Sequence, residues 1–257
     1  MTLNVLAVGD IVGRPGLDIL QKNLRGIKKL YNVDFTVVNG ENASMLGITP
    51  MQAEDIFSAG ADVITLGNHT WNRREILPYV DECPYILRPS NFAPQTPGRG
   101  WGIFDTKCGP VCVINLIGRC DMPFGTENPF FEADKILKSV NTNIILVDLH
   151  AEATSEKLAM AYYLDGRVSA LWGTHTHVQT SDAEVFPKGT GYISDLGMTG
   201  PIRSVLGIKP EISISKFLGN PPTRHEPADG NSKIECAVFE IDAQTGLCKN
   251  VEALRIT

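Results

Sequence analysis

Histidine is scarce in this chain, with five among 257 residues. Positive charge is also short: 23 Lys and Arg stand against 29 Asp and Glu, for a formal net charge of −6. That balance excludes a dedicated nucleic-acid binder, which presents a net basic face, so no large nucleic-acid surface is expected. No apolar run reaches the roughly 18 to 20 residues that a bilayer span needs, so no membrane contact is expected. The six cysteines, Cys83, Cys108, Cys112, Cys120, Cys236 and Cys248, contain no C-x-x-C pair. This excludes a zinc knuckle and a thioredoxin-type motif. The amino terminus, Met1 to Asp10, has no basic stretch and no small-residue cleavage site, so it does not read as a signal peptide. Scattered thiols without an export signal read as reduced, mostly buried cysteines of a cytoplasmic protein. What is present is ample apolar content, 43%, with a charged fraction of 20% that is too modest for disorder.

The first half alternates short apolar strands with helical segments. Strands are expected at 3–8, 35–38 and 63–66, with helices at about 15–31, 50–60 and 73–80. Thr49-Pro50 reads as an N-cap followed by proline at the first helical position, and Gly60 as the stop. Strand, loop and helix repeated in this way imply a largely parallel sheet with right-handed crossovers. The second half is more mixed. A hairpin is expected over 100–116, turning at Cys108-Gly109-Pro110. A loop over 118–131 carries Asp121, Pro123, Gly125 and Pro129. A helix from about Glu132 leads to a strand at 144–149, then a helix at 154–164 and a strand at 168–172. A closing antiparallel hairpin spans 233–241 and 247–256. No repeat or linker interrupts the chain, so residues 1–257 read as one domain.

Polar residues gather where the strands end, which is where open α/β sheets place ligands. The ends read Gly9-Asp10, Asn39-Gly-Glu-Asn42, Gly67-Asn-His-Thr70, Asp148-Leu-His150 and Gly173-Thr-His-Thr-His177. The glycines after the first strand have neither the dinucleotide G-x-G-x-x-G spacing nor the Gly-Lys-Ser/Thr of a P-loop. In an extended segment, His175 and His177 would point to the same side and reach one cluster. Mixed carboxylate, amide and imidazole donors from five strand ends favour a hydrolytic two-metal site over a closed structural zinc site. Glu41 can reach two ions at once and Asp10 can serve as a terminal or partly bridging ligand. A hydroxide bridging the metals would attack phosphorus, and His69, beside Asn68, would protonate the leaving oxygen.

These motifs, in this order, resemble the calcineurin-like metallophosphoesterases, and more closely their YmdB-like subfamily. The resemblance rests on Gly9-Asp-Ile-Val-Gly-Arg-Pro-Gly16, Asn39-Gly-Glu-Asn-Ala-Ser44 and Leu66-Gly-Asn-His-Thr-Trp-Asn72. It continues through 148–157, Gly173-Thr-His-Thr-His-Val-Gln-Thr180 and Asp195-Leu-Gly-Met-Thr-Gly-Pro201. It implies an α/β fold, a four-layer α/β/β/α sandwich, with a dinuclear iron or manganese site. Carried over by position, one metal falls to Asp10, Glu41, Asn42 and His177, and the other to Glu41, Asn68, His150 and His175. The resemblance also implies hydrolysis of 2′,3′-cyclic nucleotides at the P–O2′ bond, leaving 3′-nucleotides, and a role in RNA turnover or cyclic-nucleotide signalling. Three positions depart from the wider superfamily. Val12 stands where a histidine is usual, Glu41 where an aspartate is usual, and Thr70 where Glu or Asp is usual. The loss of an imidazole tilts the donor set toward oxygen, and so toward manganese or iron over zinc.

Arg14, Arg88 and Arg119 are candidates to pair with phosphate through a guanidinium fork, or are surface arginines. Glu152 and Ser155 are candidates to orient His150; alternatively Thr154 caps the next helix and Glu156-Lys157 is a solvated face. Trp71 and Phe92 could stack on a base or serve as packing. Competing functions are a phosphomonoesterase on the same core and a non-catalytic, metal-containing regulatory module. A second copy of the chain is an allowed partner. Four of the five histidines fall in the expected site, leaving His225 over.

Overall fold

The structure, a computed structural model, describes residues 1–122 and 125–257; Pro123 of the expected 118–131 loop lies outside the described residues. The chain begins β1 (Thr2–Val8), β2 (Asp10–Ile11), α1 (Gly13–Leu30), β3 (Phe35–Asn39) and α2 (Pro50–Ala59). It continues β4 (Val63–Thr65), α3 (Ile76–Glu82), β5 (Ile86–Leu87), β6 (Trp101–Thr106) and β7 (Gly109–Ile117). Then follow α4 (Pro129–Leu137), β8 (Ile144–His150), α5 (Thr154–Leu164) and β9 (Ala170–Thr174). The last stretch holds β10 (Glu184–Val185), β11 (Gly191–Ile193), β12 (Met198–Pro201), α6 (Pro210–Phe217), β13 (Ser232–Asp242) and β14 (Cys248–Ile256).

Two sheets form. One runs β2-β12-β13-β1-β3-β4-β5, with β14 paired to β13; the other runs β10-β11-β9-β8-β7-β6. The segments joined by helices, β1-β3-β4-β5 and β7-β8-β9, pair in parallel as the alternating pattern predicts. The closing hairpin is antiparallel, and β13 continues antiparallel onto β1.

Period-two side-chain alternation explains the layering. In β1, Leu3, Val5 and Ala7 face the second sheet, where they meet Val111, Val113, Leu146 and Trp172. Leu6 and Val8 face the opposite way, onto Leu17, Leu20 and Leu24 of α1 and Ile56 of α2. In β7 and β8, Cys112, Ile114, Ile145 and Val147 face Ala133 and Ile136 of α4 and Met160 and Leu164 of α5. Three cores between helices, sheet, sheet and helices make the four-layer α/β/β/α sandwich. Each buried Leu or Ile contributes about 1.5–3 kcal/mol, so this burial dominates the fold's stability.

Local rules account for most element ends. Thr49 and Gln52 form a reciprocal capping box at α2, with Pro50 in the first turn. The same rule acts at α4: the Asn128 side chain accepts from Phe130 N–H and Pro129 opens the helix. The helix therefore starts ahead of Glu132, inside the stretch expected as loop. Thr154 is the first residue of α5 and not its cap, which is Ala153 without a side-chain bond. Only Cys112, Cys236 and Cys248 are buried; Cys120 is exposed, so the thiols are less sheltered than expected.

Candidate metal centre

Both sets of parallel strands end at the same edge of the sandwich, and polar seams join them there. Asn115 of β7 donates to the carbonyls of Leu66 and Leu87, at 2.7 and 2.8 Å. Asp148 of β8 accepts from Thr65 of β4 at 2.5 Å and from Thr174 at the end of β9 at 2.8 Å. Strand ends from both sheets are thus held in register around one point.

That point is His150 Nε2. It lies 3.0 Å from Glu41 Oε1, 2.8 Å from Asn68 Oδ1 and 3.1 Å from His175 Nδ1. One ring nitrogen can hold one proton, so it cannot satisfy three acceptors at once. Glu41, His150 and His175 form a cluster able to hold a cation. The other imidazole nitrogen, Nδ1, lies 2.9 Å from Thr174 Oγ1, which is itself bonded to Asp148. Thr174 and Asp148 therefore set the orientation of His150, a task expected of Glu152 and Ser155. Glu152 instead sits 3.1 Å from His175 Nε2.

A second group adjoins the first through Glu41. Asn42 Nδ2 lies 3.1 Å from Glu41 Oε1 and 3.2 Å from His177 Nε2. His177 Nε2 lies 3.6 Å from Asp10 Oδ1, an oxygen that is buried and has no hydrogen-bond partner. The other Asp10 oxygen accepts from the backbone N–H of His175 at 3.2 Å. A fully buried carboxylate oxygen without a donor is costly in a protein interior and is what a cation would satisfy. The donor set therefore fits a metal. Gly67 adds a steric reason: a Cβ there would collide with Glu41 Oε2 and His150 Nε2, so only glycine lets these ligands close up.

His175 and His177 do not sit in an extended segment. β9 ends at Thr174, and the two histidines have φ of 101° and 62°. Both imidazoles reach the cluster through left-handed backbone, a conformation that costs of order 1–3 kcal/mol per residue away from glycine. Side-chain alternation is thus not what aims them.

The side chains shift one another's protonation strongly. Burial alone would raise the Asp10 carboxyl, but His177, His150 and the His175 N–H outweigh it and hold it below the ordinary range. Burial likewise opposes, and His150 outweighs, so Glu41 is also held down. His150 is pushed up to about 9: burial works against the charge, and Glu41, Asp10 and Asp148 overcome it. Burial and the neighbouring His150 push His175 down to about 3. Burial holds His69 below its ordinary value, with Glu41 opposing. Such opposed shifts within one cluster mark a functional site.

His69 is half-buried; its backbone N–H donates to Glu41 Oε2 at 3.0 Å and its Nε2 lies 3.2 Å from Asn68 Nδ2. Its side chain lines a cavity of about 320 Å³ shared with Glu41, Asn42, His175 and His177. Among the described residues no arginine lines that cavity. Arg14 pairs with Asp18 on the surface, and the Arg88 guanidinium is engaged by the carbonyls of Pro89, Ser90, Thr96 and Pro97. Arg119 lines a separate surface hollow. Trp71 and Phe92 pack on each other with ring centroids 6.0 Å apart, outside the cavity. His225, the one histidine outside the motifs, does line it, together with Lys216. Both lie in the segment between β12 and β13, which carries no motif that points to the site.

Residues 6–254 match the YmdB-like protein family. The chain belongs to that family. A relative from Bacillus subtilis (strain 168), a 2′,3′-cyclic-nucleotide 2′-phosphodiesterase, is 42% identical, with 99% of this chain and 97% of the relative covered. The crystal structure of a novel phosphatase from Mycoplasma pneumoniae superposes with a TM-score of 0.94 at 34% identity, covering 100% of this chain and 94% of that one. A hypothetical protein from Thermus thermophilus superposes with a TM-score of 0.93 at 35% identity, covering 98% of both chains. As a YmdB-like protein, the chain is a phosphoric ester hydrolase with the metallophosphoesterase fold. Among the described residues no helix is long and apolar enough to cross a membrane.

Proposed function

We propose that this YmdB-like protein is a metal-dependent phosphodiesterase of small cyclic nucleotides, opening 2′,3′-cyclic nucleotides at P–O2′ to give 3′-nucleotides. The observation that carries the reading is the convergence of Glu41, Asn68 and His175 on His150 Nε2, beside the unpartnered Asp10 oxygen. The named activity of the 42% identical Bacillus relative supports the choice of substrate.

Two cations fit the donors. Asp10, Glu41, Asn42 and His177 would hold one, and Glu41, Asn68, His150 and His175 the other, with Glu41 shared. The preponderance of oxygen donors favours iron or manganese. Bound there, the cations supply a water acidic enough to be nucleophilic near neutral pH and neutralise charge on the phosphoryl oxygens. The protein's own groups do the rest. Thr174 and Asp148 hold the His150 ring by its Nδ1 edge, leaving Nε2 toward the cluster. The cavity wall orients the ester and excludes bulk water. His69, on that wall, offers its ring to the departing O2′ as hydrogen-bond donor and acid. The free cysteines suit a reducing cytoplasm, and the inter-sheet core, joining residues from Leu3 to Cys248, supports one domain over 1–257.

The test is turnover of 2′,3′-cyclic AMP and of a bis-aryl phosphodiester by protein verified to carry two metals per chain. Formation of 3′-AMP is expected. No turnover of either ester would sink the reading, and a higher kcat/KM on phosphomonoesters would move it to a monoesterase. His69→Ala should lower kcat by about 10²–10⁴ with metal content unchanged.

A further inference from the structure

The cavity has two unlike halves. One is the polar cluster just described. The other is contributed largely by the segment between β12 and β13, residues 202–231, which includes α6. Leu206, Ile208, Ile212 and Phe217 from this flap give a predominantly aliphatic and aromatic wall, with Lys216 and His225 as its charged or titratable members. Phosphate and water need no such wall. Beyond excluding water, an apolar wall facing a phosphoryl site can pack against an apolar, flat group carried by the ester.

The flap is tied down at its base and open at its tip. Leu206 and Gly207 turn over the site: the Leu206 carbonyl lies 3.2 Å from His177 Nδ1, and Gly207 N–H is held by Ser204 Oγ at 3.0 Å. Ala228 N–H bonds the Gly207 carbonyl at 2.9 Å, closing the base of the loop. Toward the tip, Phe217 is 83% exposed although it borders the cavity. In a folded chain an aromatic ring left in water beside a cavity loses most of the free energy its burial would bring.

We propose that the 205–225 flap is the nucleobase subsite of this enzyme, with Phe217 stacking on the base and the Leu206–Ile208–Ile212 wall packing against base and ribose. The inference rests on the phosphodiesterase reading for the identity of the ester, but not for the existence of the subsite. A volume of about 320 Å³ is at the lower end of the range for small-molecule pockets and has room for a mononucleotide. Stacking tolerates any base, because every base has a π-face, so the subsite should select nucleotides over base-free esters without strong preference among bases. The link from His177 through Leu206 gives this wall a fixed position relative to the phosphoryl site.

The experiment compares 2′,3′-cyclic AMP with ribose 2′,3′-cyclic phosphate, which lacks the base. The wild-type ratio of kcat/KM should be about tenfold or more in favour of the nucleotide. Phe217→Ala and Ile212→Ala should each bring that ratio toward one. Phe217 is so exposed that its truncation leaves no core cavity, and a thermal melt checks this. In parallel, calorimetry compares binding of 3′-AMP and ribose 3-phosphate to the full chain. If neither ester is hydrolysed but 3′-AMP binds at least about tenfold more tightly, the subsite stands and the phosphodiesterase reading falls. Equal ratios and equal affinities in wild type and variants overturn the subsite. So does a Phe217→Ala variant that changes the sedimentation coefficient but not the ratio, because the flap is then a surface between copies of the chain.

Discussion

Lys157 Nζ lies 2.7 Å from Asp195 Oδ2, and both side chains are withdrawn from solvent. The same carboxylate oxygen accepts from Thr176 N–H at 3.2 Å and Thr176 Oγ at 2.7 Å, while Oδ1 accepts from Gly197 N–H at 2.8 Å. Thr176 is the residue between the two left-handed histidines. A buried pair is expensive to desolvate, and burial raises the Asp195 carboxyl even with Lys157 beside it. What the pair delivers is the shape of the His175-Thr176-His177 turn. Lys157, in a stretch that could have been a solvated helix face, is instead a tertiary anchor.

Lys157→Met leaves a buried charge without its partner and should cost about 3–5 kcal/mol in urea unfolding. Asp195→Asn likewise leaves the buried Lys157 charge without its partner and turns one acceptor oxygen into a donor, so it should cost a similar amount, while weakening metal binding about 10- to 100-fold through the loosened turn. Unchanged unfolding midpoints in the lysine variant would contradict the anchoring role.

Gly67→Ala places a methyl group against Glu41 Oε2 and His150 Nε2. Overpacking of this kind costs about 1–3 kcal/mol. Elemental analysis should show fewer metals per chain than in wild type. Full metal content with wild-type stability would mean the two ligands can move apart freely.

Gln52 carries two tasks that can be separated. Its side chain completes the α2 capping box with Thr49. It also donates to the Ala43 carbonyl at 2.9 Å and accepts from Ser44 Oγ at 2.5 Å, steadying the loop just after Glu41-Asn42. Thr49→Ala should lower stability by about 1 kcal/mol and leave metal affinity near wild type. Gln52→Ala should lower both, which titration calorimetry and denaturation together would resolve.

Asp182 gives a pH signature remote from the metal ligands. Its carboxylate accepts from Ser194 N–H at 3.1 Å and from Ser194 Oγ at 2.5 Å. Burial opposes the charge, but the hydrogen bonds from Ser194 and Thr180 prevail and hold the carboxyl below its ordinary range. A depressed folded-state value means the stabilisation is fully present above the ordinary carboxylate pKa of about 3.9 and is lost as pH falls through the lower folded value. Wild type should therefore exceed Asp182→Asn in stability near neutral pH, with the gap narrowing as pH falls below that ordinary value. A gap of constant size in urea midpoints would refute this.

The strand ends and most capping rules were legible because they depend on neighbours in sequence. Thr49-Pro50 forms its capping box wherever the helix goes, and Leu3-x-Val5-x-Ala7 alternates faces in any two-sided sheet. Asp10, Glu41, Asn68, His150, His175 and His177 could be named because each follows or closes a strand. The same local logic failed at His175-x-His177, whose backbone is left-handed, and at Arg88, whose guanidinium is spent on carbonyls brought in by a loop. It placed Asp148 and Thr174 at strand ends but not in their role of orienting His150, which exists only because β8 and β9 lie side by side.

By itself, then, the sequence determined the alternation of strands and helices, the placing of polar groups at strand ends and the scarcity of imidazoles outside them. These are consequences of period, capping and composition, which act over a few residues. The tertiary structure alone decided that three donors from distant segments meet at one ring nitrogen, that Lys157 and Asp195 hold the turn, and that Phe217 and His225 border the cavity shared with the site. Those depend on distances between segments that share no local pattern, and only the packing of two sheets against each other sets them.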